Sequence, residues 1–244
     1  MPSSLLFGSR SFVVLAATAM LSTFAMHCSG GAGDHTFYRL YSPKAKLEAE
    51  WTVPDEAYEA AAASFTKELL VSDAEPRLLA EIASFAHEIS KAGAVNGLAQ
   101  LLLRLTAPGV PDTYQGCDGW DFSLVDPDNR APVDYATRVR HLVDLTRRAM
   151  PRDWEDGRLK QAILARTLNF RREHPSLFSE GSYEPLLVSG QLAAHIIAFA
   201  RRWERELAIV AVPRFSFGVL DRDERSLRFT EGCWADTNVA LPGG

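Results

Sequence analysis

The sequence predicts an α/β chain in which packed helices give way to an antiparallel β domain. Three patterns carry that expectation. Apolar residues recur at three- and four-residue steps in several segments between Tyr58 and Arg172. A polar stretch rich in Gly, Pro and Asp, from Cys117 to Pro132, interrupts them. From Tyr183 onward the apolar residues fall in short runs with Gly or charged breaks, the pattern of consecutive strands.

The chain has 244 residues, enough for one large domain or two small ones with a buried core. Its 47% hydrophobic and 23% charged residues are those of a globular protein rather than a disordered one. A formal net charge of -5 gives no electrostatic reason to bind nucleic acid or an anionic membrane. The basic pairs Arg147-Arg148, Arg171-Arg172 and Arg201-Arg202 are scattered among acids and read as solvated faces. Three cysteines, Cys28, Cys117 and Cys233, make neither a CxxC site nor a disulfide framework.

Taken in order, Arg10 and the apolar run Phe12 to Met26 have the form of a secretory signal peptide, and are too short for a membrane span. The other readings are an apolar stretch within a helix, or a start region foreign to the fold. Ser29 to Gly33 is a flexible break. Pro54, Asp55 and Glu56 suit the first turn of a helix, where no amide partner is needed and negative charge is favoured. Tyr58, Ala61, Ala62, Phe65 and Leu69 give that helix one apolar face. A second helix is expected after Pro76, with Leu78, Leu79, Ile82, Phe85, Ala86 and Ile89 on one face and Gly93 ending it. A third, Gly97 to Leu105, is apolar nearly all round and should be buried. Pro108-Gly109 breaks it, a short strand is expected over Val110 to Tyr114, and the loop from Gln115 follows. Helices return over Tyr135 to Ala149, with Val139, Leu142 and Val143 on one face, and over Leu159 to Arg172. Strands are expected over Tyr183–Val188, Ala193–Trp203 and Leu207–Phe215.

Several stretches, in this order, resemble maltooligosyltrehalose synthases of the α-amylase superfamily. They are WTVPDEAYEAA (Trp51 to Ala61), NGLAQLLLRLTAPGVPDTYQG (Asn96 to Gly116) and SLVDPDNRAPVDY (Ser123 to Tyr135). NFRREHPSLFSEGSYEPL (Asn169 to Leu186), HIIAFARRWERELAIVAVPR (His195 to Arg214) and GCWADTNVALPGG (Gly232 to Gly244) continue the series. A YQG loop alone would say little; YQG followed by WD, SLVDPDNR and VDY is far more specific. Three positions depart from the pattern: Asp118 stands where the family usually has glutamate, Gly119 where it has a larger residue, and Ala131 where a second arginine is usual.

The resemblance implies the terminal β/α units of an incomplete (β/α)8 barrel, followed by an antiparallel, β-sandwich-like domain. On that reading residues 1–45 lie outside the family pattern, 46–175 are the end of the catalytic barrel, and 176–244 are the β domain. The implied reaction turns the reducing-end α-1,4 bond of a maltooligosaccharide into an α,α-1,1 bond. It follows a retaining route that needs a carboxylate nucleophile and a carboxyl acid/base. Neither acid has a match here, because the family carries them on barrel strands upstream of the WTVPDEAYE segment. The expected partner is therefore a separate polypeptide bearing the rest of the barrel, beside the maltooligosaccharide itself. The resemblance implies a cytoplasmic location. The alternative is a non-catalytic, secreted or vestigial carbohydrate-binding module, should the first 26 residues be a true leader.

The candidate sugar-binding residues are Tyr114, Gln115, Asp118, Trp120, Asp121, Asp126, Asp128, Asn129 and Arg130. Aromatic faces stack on sugar C–H surfaces, while carboxylates, amides and guanidinium groups hydrogen-bond ring hydroxyls. The competing reading makes Asp126 to Arg130 a turn network, with carboxylates capping backbone amides. No cofactor is expected. No metal is expected either, since His27, Cys28, Asp34 and His35 lack a standard ligand spacing. His195 reads as a hydrogen-bonded core residue, and His87 and His141 as surface residues.

Overall fold

A computed structural model describes residues 12–16, 56–58, 60–61, 64, 76–121, 132–147, 154–221, 223 and 226–242. The chain divides into two compact units. One comprises Met1–Thr23, Ile89–Phe122 and Pro132–Gly244; the other comprises Phe24–Glu88 and Ser123–Ala131. In the second unit residues 56–58, 60–61 and 64 are helical, within the first helix expected from the sequence.

The second and third expected helices are one element, α1 (Pro76–Thr106). Gly93 does not end it, because it keeps a helical backbone rather than the left-handed one that terminates helices. In its first half Ile82, Phe85 and Ile89 are exposed, so the apolar face read there meets no described core. Its second half is buried as expected, and the reason for the all-round apolar pattern is that it has two partners. Leu98, Leu101 and Leu105 pack with Trp154, Leu159 and Leu164, while Ala99 and Leu102 pack on Phe199, Val210 and Val212 of the sheet.

Val110 to Tyr114 is not a strand. Pro111 has no amide to donate, Gly109 turns the chain at a φ of 115°, and Val110 is 96% exposed. Two helices follow, α2 (Tyr135–Arg147) and α3 (Arg158–Glu173), close to their expected bounds. The α2 stripe of Tyr135, Val139, Leu142 and Val143 is exposed. A short α4 (Pro175–Ser179) buries Leu177 and Phe178.

The strands are β1 (Phe12–Ala16), β2 (Ser182–Pro185), β3 (Val188–Ser189), β4 (Ile196–Trp203), β5 (Glu206–Pro213) and β6 (Asn238–Val239). A four-stranded sheet runs β1-β5-β4-β2, and β3 and β6 form a separate antiparallel ribbon. β4 and β5 are an antiparallel hairpin in register from Ile196↔Pro213 to Trp203↔Glu206, and β2 joins antiparallel from Ser182↔Arg202 to Pro185↔Phe199. β1 lies parallel to β5, so part of the apolar N-terminal run is a strand. The three expected C-terminal strands are each shorter than read. Pro185 and Pro213 are the last residues of β2 and β5, and Ala193–His195 is a 3-10 turn before β4. His195 is accordingly half-buried at the strand entry rather than in the core, with its Nδ1 3.1 Å from the Phe215 carbonyl oxygen.

Among the described residues, the charge buried deepest sits at the junction of helices and sheet. Arg201 on β4 is 1% exposed. Its guanidinium donates to the carbonyl oxygens of Thr106, Phe178, Gly181 and Ser182 at 2.9 to 3.0 Å. Thr106 ends α1 and Phe178 lies in the last turn of α4, so the cation meets two helix C-termini, where carbonyl groups carry partial negative charge. Among the described residues no helix is long and apolar enough to cross a membrane.

Candidate functional site

The loop after Tyr114 folds back on itself because Gly116 takes a φ of 85° and the Cys117 amide bonds to the Tyr114 carbonyl. Three elements then meet around Asp118. α2 brings Arg138, whose Nε donates to Asp118 Oδ1 at 2.8 Å and whose Nη2 donates to the Gly116 carbonyl at 2.8 Å. α3 brings Gln161, whose amide donates to Asp118 Oδ2 at 2.9 Å and to the Arg138 carbonyl at 3.0 Å. With both its oxygens held, Asp118 knits the loop to two helices.

Trp120 is fixed with equal care. Its indole N–H donates to the Trp154 carbonyl at 2.7 Å, and it packs against the α1–α3 core. Lys160 stands 5.2 Å from the ring centroid and donates to the Gly119 carbonyl at 2.7 Å. Burial holds that ammonium below the usual lysine range. Gly157, the residue before α3, has a φ of 78°, and a Cβ there would lie 3.1 Å from the Trp120 amide nitrogen. Any larger residue there would be strained by the positive φ and would press on the loop.

These elements enclose a cleft of about 280 Å³. Asp118, Trp120, Arg138, His141, Glu155 and Asp156 are among the residues that line it. His141 is therefore not the plain surface residue its charged helix suggested; it is half-buried along the cleft. Of the residues picked from sequence, Asp118 and Trp120 come together here. Tyr114, Gln115 and Asp121 are exposed and do not line the cleft; Gln115 accepts from the Tyr135 hydroxyl at 3.2 Å. Asp126, Asp128, Asn129 and Arg130 lie outside the described residues. Arg138, His141, Glu155 and Gln161 were missed. Gln161 left no signal, because a single amide on a helix reads as a solvated position until the partners that bury it are known.

Cys117 lies beside this network, its Sγ 3.8 Å from Asp121 Oδ2. Burial and then the Asp121 charge raise its pKa. A group raised in the fold favours the protonated form there, so its contribution is full below the unfolded thiol pKa and is lost as pH rises through the folded value. In a Cys28→Ser/Cys233→Ser background, the midpoint of iodoacetamide reactivity against pH should lie above the ordinary 9.0. A midpoint at or below that value would refute the burial.

An acceptor-rich cleft beside an indole is the form of a site for a neutral, hydroxyl-rich ligand. No family model matches the chain. It is 35% identical over 204 residues to the provisionally named maltooligosyl trehalose synthases of two Mycobacterium tuberculosis strains, a match covering 83% of this chain and 24% of those proteins. In structure it is similar to maltooligosyltrehalose synthase from Arthrobacter ramosus, with a TM-score of 0.61 at 30% identity over 81% of this chain and 28% of that one. A point mutant of the same enzyme gives 0.62 at 33% identity, over 80% and 23% respectively. The family recognised from the YQG, WD, SLVDPDNR and VDY motifs is the one these relatives bear. The chain spans about a quarter of the length of the curated relatives it matches.

Proposed function

We propose that this chain is the C-terminal portion of a maltooligosyltrehalose synthase. On this reading residues 46–175 are the C-terminal part of the catalytic barrel, 176–244 are the sandwich-like β domain, and 1–45 lie outside the family pattern. The assembled enzyme converts the reducing-end α-1,4 bond of a maltooligosaccharide to α,α-1,1 in the cytoplasm. The observation that carries the proposal is the 35% identity over 204 residues. The exposed α2 stripe also favours it, since an apolar helix face of this kind suits a surface that another polypeptide covers.

The chemistry divides accordingly. A retaining transfer needs two carboxyl groups across the scissile bond, about 5 Å apart. Those come from the polypeptide that carries the rest of the barrel, so the chain alone is inactive. This portion supplies the wall that keeps the released glucose in place while it turns. Trp120 and Asp118 belong to that wall, together with Tyr114, Gln115, Asp121, Asp126, Asp128, Asn129 and Arg130.

Mixing the purified chain with a polypeptide spanning the upstream part of a family member, and assaying on maltopentaose, tests this directly. Trehalose-ended product should form in the mixture and not from the chain alone. Product from the chain alone overturns the claim of inactivity. A mixture that associates but yields no product overturns the assignment.

A further inference from the structure

A second groove, of about 570 Å³, opens between the α3–α4 junction and the β4–β5 turn. Glu173, His174, Trp203, Glu204, Arg205 and Glu206 are among its lining residues, and none of them lines the cleft around Asp118. We propose that this groove is a second saccharide-binding site, which holds a short stretch of α-glucan away from the cleft.

Three observations carry the proposal. The first is backbone strain at its lip. Trp203 pairs with Glu206, so Glu204 and Arg205 form a two-residue turn, and Glu204 sits at a φ of 50°. Turns of that length favour Gly or Asn where φ is positive, since a larger side chain is strained there. Only two described residues other than glycine have a positive φ, and Glu204 is one of them. A strained residue kept at the mouth of a groove points to a use for its side chain.

The second observation is a braced floor. His174 Nδ1 lies 2.8 Å from Glu206 Oε1, and the imidazole packs 4.5 Å from the Phe170 ring, so the carboxylate is held in one place. The third is an aromatic wall. Trp203 is half-buried against Leu177, Phe178 and Ala208, which fixes its indole without hiding it.

The chemistry of these groups selects the ligand. Three carboxylates against one guanidinium disfavour an anion. Among the described residues no cluster of His, Cys, Asp and Glu could hold a metal ion. An indole face beside acceptors and one guanidinium donor suits a neutral polyol, whose C–H face stacks while its hydroxyls bond at the edge. The volume falls within the ~300–1,000 Å³ usual for small-molecule sites. The choice of α-glucan among polyols rests on the function proposed above.

Calorimetric titration of maltopentaose into the full chain tests the site, with Glu204→Gly, Arg205→Ala and Asp118→Ala compared to the unaltered protein. Glycine suits the turn, so Glu204→Gly should melt no lower than the parent, yet bind about tenfold more weakly for one lost charged hydrogen bond. Arg205→Ala should weaken binding similarly. Unchanged affinity in both variants overturns the groove. Loss in Asp118→Ala alone also overturns it, while leaving the cleft as the glucan surface. Binding of spermidine in place of maltopentaose overturns the ligand class. The trehalose assay with the upstream polypeptide is unaffected by these outcomes, so the two readings fail separately.

Discussion

Replacing Arg201 by methionine is expected to destabilise the chain by about 3–5 kcal/mol, the cost of stranding buried carbonyl oxygens that its guanidinium satisfies. Arg201 is 1% exposed, and its guanidinium satisfies four carbonyl oxygens. Methionine would fill much of the volume but leave the buried Thr106 and Phe178 oxygens without this donor, and each unsatisfied buried group costs about 1–3 kcal/mol before relaxation. Two of the four belong to helix C-termini, whose partial negative charge the cation offsets. Arg171 adds to the demand on this corner. Its Nη1 donates to the Leu105 carbonyl at 2.7 Å, and its guanidinium lies 4.7 Å from the Phe178 ring. Arg201→Lys should recover part of the loss, because an ammonium keeps the charge but cannot fork across four acceptors. Urea unfolding should show the order wild type, Lys, Met. For a chain of this size the methionine variant should melt roughly 10 °C lower. A methionine variant within about 1 kcal/mol of wild type would mean that water already satisfies these carbonyls.

The same corner shows what could and could not be read in advance. The strands around Arg201 were legible, because apolar runs between charged breaks mark β4 and β5 whatever they pack against. That Arg201 itself is buried was not. Arg201-Arg202 read as a solvated pair, and only the alternation of β4 sends one guanidinium inward and the next outward. Gly93 misled for a related reason. A glycine marks a helix end only if the chain then turns, and here the apolar pattern of α1 simply continues through it. Val110 to Tyr114 misled because a short segment between a helix break and a Gly-containing loop reads as a strand, whereas Pro111 and the Gly109 turn leave it unpaired. In the cleft, Asp118 and Trp120 are the two residues picked from the sequence that line it. The side chains that hold them, Arg138 and Gln161, come from helices with ordinary amphipathic patterns, and only tertiary contact reveals them.

Asp118→Ala should loosen the fold around the cleft as well as change its lining. Asp118 accepts from Arg138 at 2.8 Å and from Gln161 at 2.9 Å, both partly screened from water. Without it the Gln161 amide loses one of its two acceptors, and the guanidinium keeps only the Gly116 carbonyl. The expected cost is about 1–3 kcal/mol for groups left unpaired. It should appear first as local loosening of the loop around Gly116–Trp120 and the start of α3. Asp118→Glu is the sharper test, since glutamate is usual at this place in the family the chain resembles. Here an extra methylene would drive the carboxylate into partners spaced for aspartate, and a ~1 Å displacement at such a site is costly. Asp118→Glu should therefore lie between wild type and Asp118→Ala, both in stability and in trehalose formation with the upstream polypeptide. If glutamate instead equals or exceeds wild type, Arg138 and Gln161 adjust freely and the network does not set the geometry of the cleft. Hydrogen exchange at the amides of Gly116 to Trp120 separates the two cases. A rigid network predicts faster exchange in both variants, and an adaptable one predicts it only for alanine.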